Sequence, residues 1–203
     1  MREVLLDAGY RVRCLVRSSA GFSERPGLEW IRGDLSSDGA VDEVLDGCDV
    51  CIVMTGARTG TKENMQQIVD GTQRIVERMP AQGIRRLLKL SGVSVRVGKE
   101  PFPLPRRILD LGLGLAMRYP SRSKYLEQEI IEASALDWVV VRPPLIFRGA
   151  GCRSLRAHDH AFLGMHVHVR DLCQFFLNQI ANDEWLGKCP TVGYGPVWSG
   201  RNR

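Results

Sequence analysis

The chain has 203 residues, 44% of them hydrophobic and 25% charged, and a formal net charge of +5. That is enough chain for one buried core, with at most a small appendage, and the balance excludes a largely disordered or fibrous protein. The basic residues are scattered, with only Arg85-Arg86 and Arg106-Arg107 standing as pairs, which argues against a nucleic-acid partner. No apolar run reaches the roughly 18 residues that a membrane span needs. The six cysteines sit mostly in apolar runs, as buried free thiols do. The start, Met1 to Asp7, carries no secretory signal, so a reducing cytoplasm or organelle stroma is the expected home.

Arg2 to Ala8 reads as the end of a helix, with Val4, Leu5 and Ala8 on one face and Gly9 as its stop. Residues 10–16 alternate and are rich in apolar side chains, so they predict a strand. Leu28–Arg32 predicts a second, ending at Gly33-Asp34-Leu35. Ser36 is placed to cap a helix over Gly39–Leu45, closed by Gly47. Val50–Met54 is almost wholly apolar, as a strand covered on both faces is. A long helix fits Glu63–Met79, limited by Pro80, and Leu87–Leu90 is the next strand. Residues 99–120 begin Pro-broken and become a Leu-rich helix, and a further helix spans about Ser123–Ala135. Asp137–Arg142 is a strand stopped by Pro143-Pro144. A last helix over Asp171–Ala181 and a strand near Pro190–Tyr194 precede a short tail. One domain over 1–195, with 196–203 as the tail, accounts for the whole.

Strands alternating with helices imply a mainly parallel sheet covered on both faces. In such sheets ligands bind outside the carboxyl ends of the strands. That rule selects Arg17-Ser18, Asp34-Leu35, Thr55-Gly56-Ala57, Ser91-Gly92 and Pro143-Pro144-Leu145-Ile146. The chemistry suits a dinucleotide, because a guanidinium forks onto phosphate and a Gly-Ala turn admits close approach to the backbone.

In their order and spacing these segments resemble the atypical short-chain dehydrogenase/reductases, the NAD(P)H-binding, NmrA-like group. The matching stretches are Gly9-Tyr10 through Arg17-Ser18, Gly33-Asp34-Leu35, Gly47 through Ala57, Leu90-Ser91-Gly92-Val93, Lys124 through Pro144, and Val169-Arg170-Asp171-Leu172. The block from Lys124 to Arg142-Pro143-Pro144 is the most specific. The resemblance implies a Rossmann-like, doubly wound, mainly parallel α/β fold and an NADP cofactor, with NAD as the other possibility. It places Arg17 with Ser18 at the 2′-phosphate, Asp34 and Leu35 beside adenine, and Thr55, Gly56 and Ala57 along the ribose and diphosphate. It places Ser91 near the nicotinamide, Lys124 on the nicotinamide ribose, and Pro143 and Ile146 against the nicotinamide ring.

Two departures matter. The family's first strand and Gly-x-x-Gly-x-x-Gly turn should precede Arg2 and are missing here, the expected mark of a truncated gene model or a short variant. That strand would lie between residues 10–16 and 50–54. The family's Tyr-x-x-x-Lys motif also fails: Pro120 stands four residues before Lys124, and Tyr119 is one position too early, a reserve candidate for the catalytic acid. Ser91, Lys124 and Tyr119 are thus the catalytic candidates. The implied function is hydride transfer to a small carbonyl or alkene. The alternatives are a non-catalytic NADP(H)-sensing regulator or assembly factor of NmrA type, and a degenerate fragment without ligand.

Plainer roles stand beside these. Arg17 also reads as a solvated loop arginine, Asp34 as a helix-entry aspartate beside Ser36, Ser91 as a turn cap, and Lys124 as a surface lysine near Glu127 and Gln128. Cys48 and Cys51 have redox spacing, but Cys51 lies in a buried strand rather than at a helix start. His158, His160, His166 and His168 cluster without the spacing of a known metal site; no metal is expected. The segment from Leu104 to Arg118 is apolar with basic edges and reads as a cover over the substrate pocket, with membrane-surface binding as its rival.

Overall fold

The computed structural model describes residues 1–17, 24–56, 61–95, 97, 108, 111, 118–149, 151 and 154–196. Its elements, in chain order, are α1 (Arg2–Asp7), β1 (Val12–Val16), β2 (Leu28–Arg32), α2 (Asp38–Leu45), β3 (Val50–Val53), α3 (Lys62–Ala81), β4 (Arg86–Leu90) and α4 (Arg118–Glu132). There follow β5 (Asp137–Val141), β6 (Leu145–Phe147), β7 (Arg156–His158), β8 (His166–His168), α5 (Val169–Asn178) and β9 (Thr191–Gly193).

The ladders of β1 with β2, and of β3 with β4 and β5, are all parallel. Single parallel bridges join Val139 to Lys188 and Arg142 to Thr191, so the chain before β9 runs along the free edge of β5. This is the expected α/β architecture of parallel strands connected by helices. Among the described residues β1 and β3 do not pair with each other, and they belong to separate ladders. All of β1, and three of the four residues of β3, are only half-buried although mostly apolar. By contrast Leu87, Leu88 and Lys89 of β4 are buried. Among the described residues β1 and β3 are thus the less covered strands of the two ladders.

The core has two parts. One gathers Val53, Ile75, Met79, Leu87, Ile131 and Val140 between the sheet and helices α2, α3 and α4. The other joins Leu88, Val139, Val141, Leu172 and Phe176 under α5. Leu88 and Val139 are 0% exposed, and truncating such a leucine to alanine costs about 2–5 kcal/mol.

Several boundaries differ from the sequence reading for local reasons. Ser37, not Ser36, caps α2, its side chain accepting from the Ala40 N–H; Ser36 is engaged by Asp34. Helix α3 runs through Pro80 and stops at Gly83, whose φ is +76°. The Gly83 N–H bonds the Pro80 carbonyl and the Ile84 N–H bonds the Met79 carbonyl, a glycine-terminated cap. Proline in a last turn forfeits only one intrahelical bond, so it does not set the end. Helix α4 begins five positions before Ser123 and carries Pro120 in its first turn, where a missing N–H costs nothing. The three-residue strands β6, β7 and β8 were not read from the sequence. They are too short to display a period. Apart from Ile108 and Leu111, both exposed, the segment read as a pocket cover lies outside the described residues before position 118, as does the tail from 197.

Candidate functional site

The parallel register aligns the carboxyl ends of β3, β4 and β5, pairing Val53 with Lys89 and Leu90 with Val141. Thr55-Gly56, Ser91-Gly92 and Pro143 therefore lie along one rim. The Ser91 N–H bonds the Val141 carbonyl at 2.8 Å and the Val93 N–H bonds the Pro143 carbonyl at 3.0 Å, which stitches the two loops together. Ser91 is buried, and its hydroxyl has no hydrogen-bond partner among the described residues. A buried hydroxyl left unpaired costs free energy unless something else satisfies it.

Lys124 comes to the same place from α4. A β-carbon built on Gly92 would stand 2.7 Å from Lys124 Nζ, so the ammonium rests against a backbone that only glycine leaves bare. No hydrogen bond or ion pair holds that ammonium among the described residues. Burial pushes its pKa down, the Lys89 charge pushes the same way, and Glu127 opposes both. The plain reading of Lys124 as a surface lysine paired with Glu127 is thus replaced: Glu127 is bound instead to Lys89, with Nζ 2.6 Å from Oε2. Lys89 also donates to the Thr55 carbonyl at 2.9 Å.

Asp34 stands after the carboxyl end of β2, in the separate ladder of β1 and β2. Hydrogen bonds from the Ser36 hydroxyl and N–H hold its carboxyl below the usual aspartate range, and the charges of Arg17 and Arg74 add to this. Asp34 thus takes the helix-entry role as well as its position at the rim. Leu35 is half-buried and packs so closely on Gly71 of α3 that a β-carbon there would lie 2.5 Å from its own. Its carbonyl accepts from Arg74. Arg17 is exposed, as is Thr55, and among the described residues a β-carbon at Gly56 would meet nothing within 4 Å. Ser18 and Ala57 lie outside the described residues. Pro143 is buried behind the Ser91 loop, whereas Ile146 is 42% exposed on β6. Tyr119 belongs to the first turn of α4. Five helical residues separate it from Lys124, about 140° around the axis at roughly 100° per residue.

Sequence reasoning passed over Lys89, and it named Glu127 only as a neighbour of Lys124 and Arg142 only as a strand end. The signal was available in part, since a lysine inside an otherwise apolar strand requires a partner. Arg142 is 0% exposed and donates to the carbonyls of Cys189 at 2.6 Å, Val95 at 2.8 Å and Asp159 at 3.0 Å. It pins the Ser91–Val95 loop and the 156–163 loop to the end of β5.

Two other motifs resolve into structure. Burial pushes the Cys51 thiol up to about 12, although the residue as a whole keeps part of its surface open, and a thiol so held is a poor nucleophile. His158 Nδ1 accepts from the N–H groups of His160 and Ala161, closing a turn. His166 and His168 sit on another strand, edge to face at 5.9 Å. Among the described residues no group of three or more His, Cys, Asp or Glu is placed to hold a metal ion, and no helix is long and apolar enough to cross a membrane.

A cavity of about 420 Å³ lies elsewhere, between α3 and α4, lined by Val69, Val76, Leu126, Glu129 and Ile130. None of Thr55, Ser91, Lys124 or Pro143 lines it.

A family model described as NAD(P)H-binding matches residues 1–183. The chain belongs to the NAD(P)H-binding family. No curated protein sequence matches this NAD(P)H-binding protein, but solved structures do. The oxidoreductase ylbE of Lactococcus lactis superposes with a TM-score of 0.76 at 14% identity, over 96% of this chain and 84% of that one. A short-chain dehydrogenase/reductase of Veillonella parvula, in complex with NADP, gives 0.75 at 14% identity, over 96% and 88%. ChuY of Escherichia coli O157:H7, an anaerobillin reductase, gives 0.76 at 14% identity, over 100% and 91%. At these identities the likeness establishes the Rossmann fold of this NAD(P)H-binding protein.

The chemistry of the rim residues is compatible with such a cofactor. An unpaired buried hydroxyl, an unpaired half-buried ammonium and a glycine between them offer a donor set for a ribose and a carboxamide.

Proposed function

We propose that the protein is an NADPH-dependent reductase of a small carbonyl or alkene substrate. The observation that carries this reading is the meeting at one rim of a buried Ser91 hydroxyl and a Lys124 ammonium that, among the described residues, have no hydrogen-bond partner and no ion pair. When bound, the reduced cofactor would supply a hydride. The chain's own residues bind and orient. Lys124 would donate to the hydroxyls of the nicotinamide ribose, and its low-dielectric setting strengthens each such bond. Ser91 would donate to the substrate oxygen, where charge develops during reduction. Pro143 and Ile146 would wall the ring. Arg17, with Ser18, would take the 2′-phosphate, which favours NADPH over NADH. Asp34 and Leu35 would flank adenine, and Thr55, Gly56 and Ala57 the ribose and diphosphate. Tyr119 remains the reserve proton donor.

The test is NADPH oxidation with a panel of small aldehydes, ketones and activated alkenes. Turnover that Ser91→Ala and Lys124→Met abolish supports the reading. Tight NADPH binding with no turnover on any substrate supports a second one, a cofactor-sensing regulator or assembly factor. Pro120 at the position where the family's tyrosine belongs favours that alternative.

A further inference from the structure

Beneath Lys124 lies a pair of charges from which the core gains little. Lys89 and Glu127 are 2% and 1% exposed, and their charged atoms are 2.6 Å apart. Lys89 reaches the Thr55 carbonyl at 2.9 Å, and Glu127 accepts from the Thr72 hydroxyl of α3 at 3.1 Å. Four elements therefore meet at two buried charges: β3 through its terminal loop, β4, α3 and α4. Burying two ions costs about as much as their attraction returns, and two apolar side chains would hold the core as well. Among the described residues the second, buried oxygen of Glu127 has no hydrogen-bond partner, a further cost. Stability is a poor account of the pair, whereas its location is telling. One partner holds the loop assigned to the cofactor ribose and diphosphate, and the other stands one helical turn from the ammonium assigned to the nicotinamide ribose.

We propose that Lys89 and Glu127 are positioning residues for the cofactor site: Glu127 offsets the Lys89 charge beside Lys124, and Lys89 holds the Thr55 loop at the same rim. The proposal rests on the cofactor reading of Lys124. Among the described residues the charged groups acting on Lys124 are Lys89 from β4, against its charge, and Glu127 from its own helix, in favour. Helix α3 presents the uncharged Thr72 to this pair.

The experiment is a pH titration of the protein's lysines, followed by the carbon-13 shift of the side-chain carbon next to the ammonium. The sequence has five lysines, and Lys124→Arg identifies the signal of interest. In the wild type Lys124 is expected to lose its proton before the exposed lysines do. Glu127→Gln should lower its midpoint further, because Lys89 then stands uncompensated. The double variant Lys89→Met with Glu127→Gln should return it towards the wild-type value. A Lys124 midpoint that is the same in all these proteins overturns the proposal. If Glu127→Gln does not fold, Lys89→Met decides: its Lys124 midpoint lies above the wild type if the pair acts, and coincides with it if not.

In parallel, the NADPH Kd of Glu127→Gln should rise about tenfold at a pH between the two midpoints. Lack of NADPH binding by the wild type would defeat the cofactor reading alone, since the titration requires no cofactor.

Discussion

The ammonium of Lys124 lies against Gly92 so closely that a β-carbon on the glycine would stand 2.7 Å from Nζ. The obstructing atom is the free end of a flexible side chain, so Gly92→Ala is expected to displace the ammonium rather than the backbone. Thermal unfolding should move by about 2 °C or less, while the NADPH Kd rises about tenfold. Calorimetric titration and a melting curve on the same sample check both halves; an unchanged Kd would remove Lys124 from the site.

Burial lowers the pKa of Lys124, with Lys89 adding to the effect, so folding disfavours its charged form. Between the folded value and the ordinary lysine range, the unfolded chain binds the extra proton. Stability therefore rises with pH through that window. Below the window the wild type carries the cost of a half-buried ammonium. Lys124→Met should accordingly be the more stable protein at neutral pH, with a lead that shrinks as pH climbs towards the ordinary lysine value. Urea melts of both proteins at several alkaline pH values measure this, and a difference independent of pH contradicts it.

Among the described residues the buried Ser91 hydroxyl has no partner, so its removal forfeits no hydrogen bond to them. Ser91→Ala should leave stability unchanged or raise it by up to about 1 kcal/mol. Turnover should fall by roughly tenfold to a thousandfold if the hydroxyl meets charge developing on the substrate. A variant that is less stable yet equally active would assign Ser91 to the turn instead.

Arg142 carries a different load. Its guanidinium satisfies the carbonyls of Cys189, Val95 and Asp159 from a fully buried position. Arg142→Met keeps most of the volume but strands those acceptors, and should cost about 3 kcal/mol or more, read as a lower urea midpoint. Because Val95 belongs to the loop that begins at Ser91, cofactor affinity should weaken along with it.

The periodic parts of the chain could be read directly. The apolar run at 50–54 and the amphipathic run at 63–79 became β3 and α3 because burial on one or both faces writes itself into residue spacing. The carboxyl-end rule then located Thr55, Ser91 and Pro143, whose common rim follows from parallel register alone. What spacing does not encode is the partner of a buried charge. Lys89 in an apolar strand announced a need, but its answer came from Glu127, 38 positions later in the sequence, through packing of α4 on α3. The plainer alternative for Lys124, a surface lysine in a helical pair, rested on the acid nearby in sequence, and the fold gives that acid to Lys89. The strands at 145–147, 156–158 and 166–168 were hidden because three residues hold too little pattern to separate strand from loop.

The central claim is that the strand-end loops and α4 form a nicotinamide-cofactor site on this chain. Isothermal titration with NADPH and NADH, on the wild type and on Lys124→Met, tests it most directly. The account predicts saturable one-site binding, tighter for NADPH than for NADH, and weakened at least about tenfold by Lys124→Met. Failure of the wild type to bind either cofactor, or equal binding by the variant, would contradict it.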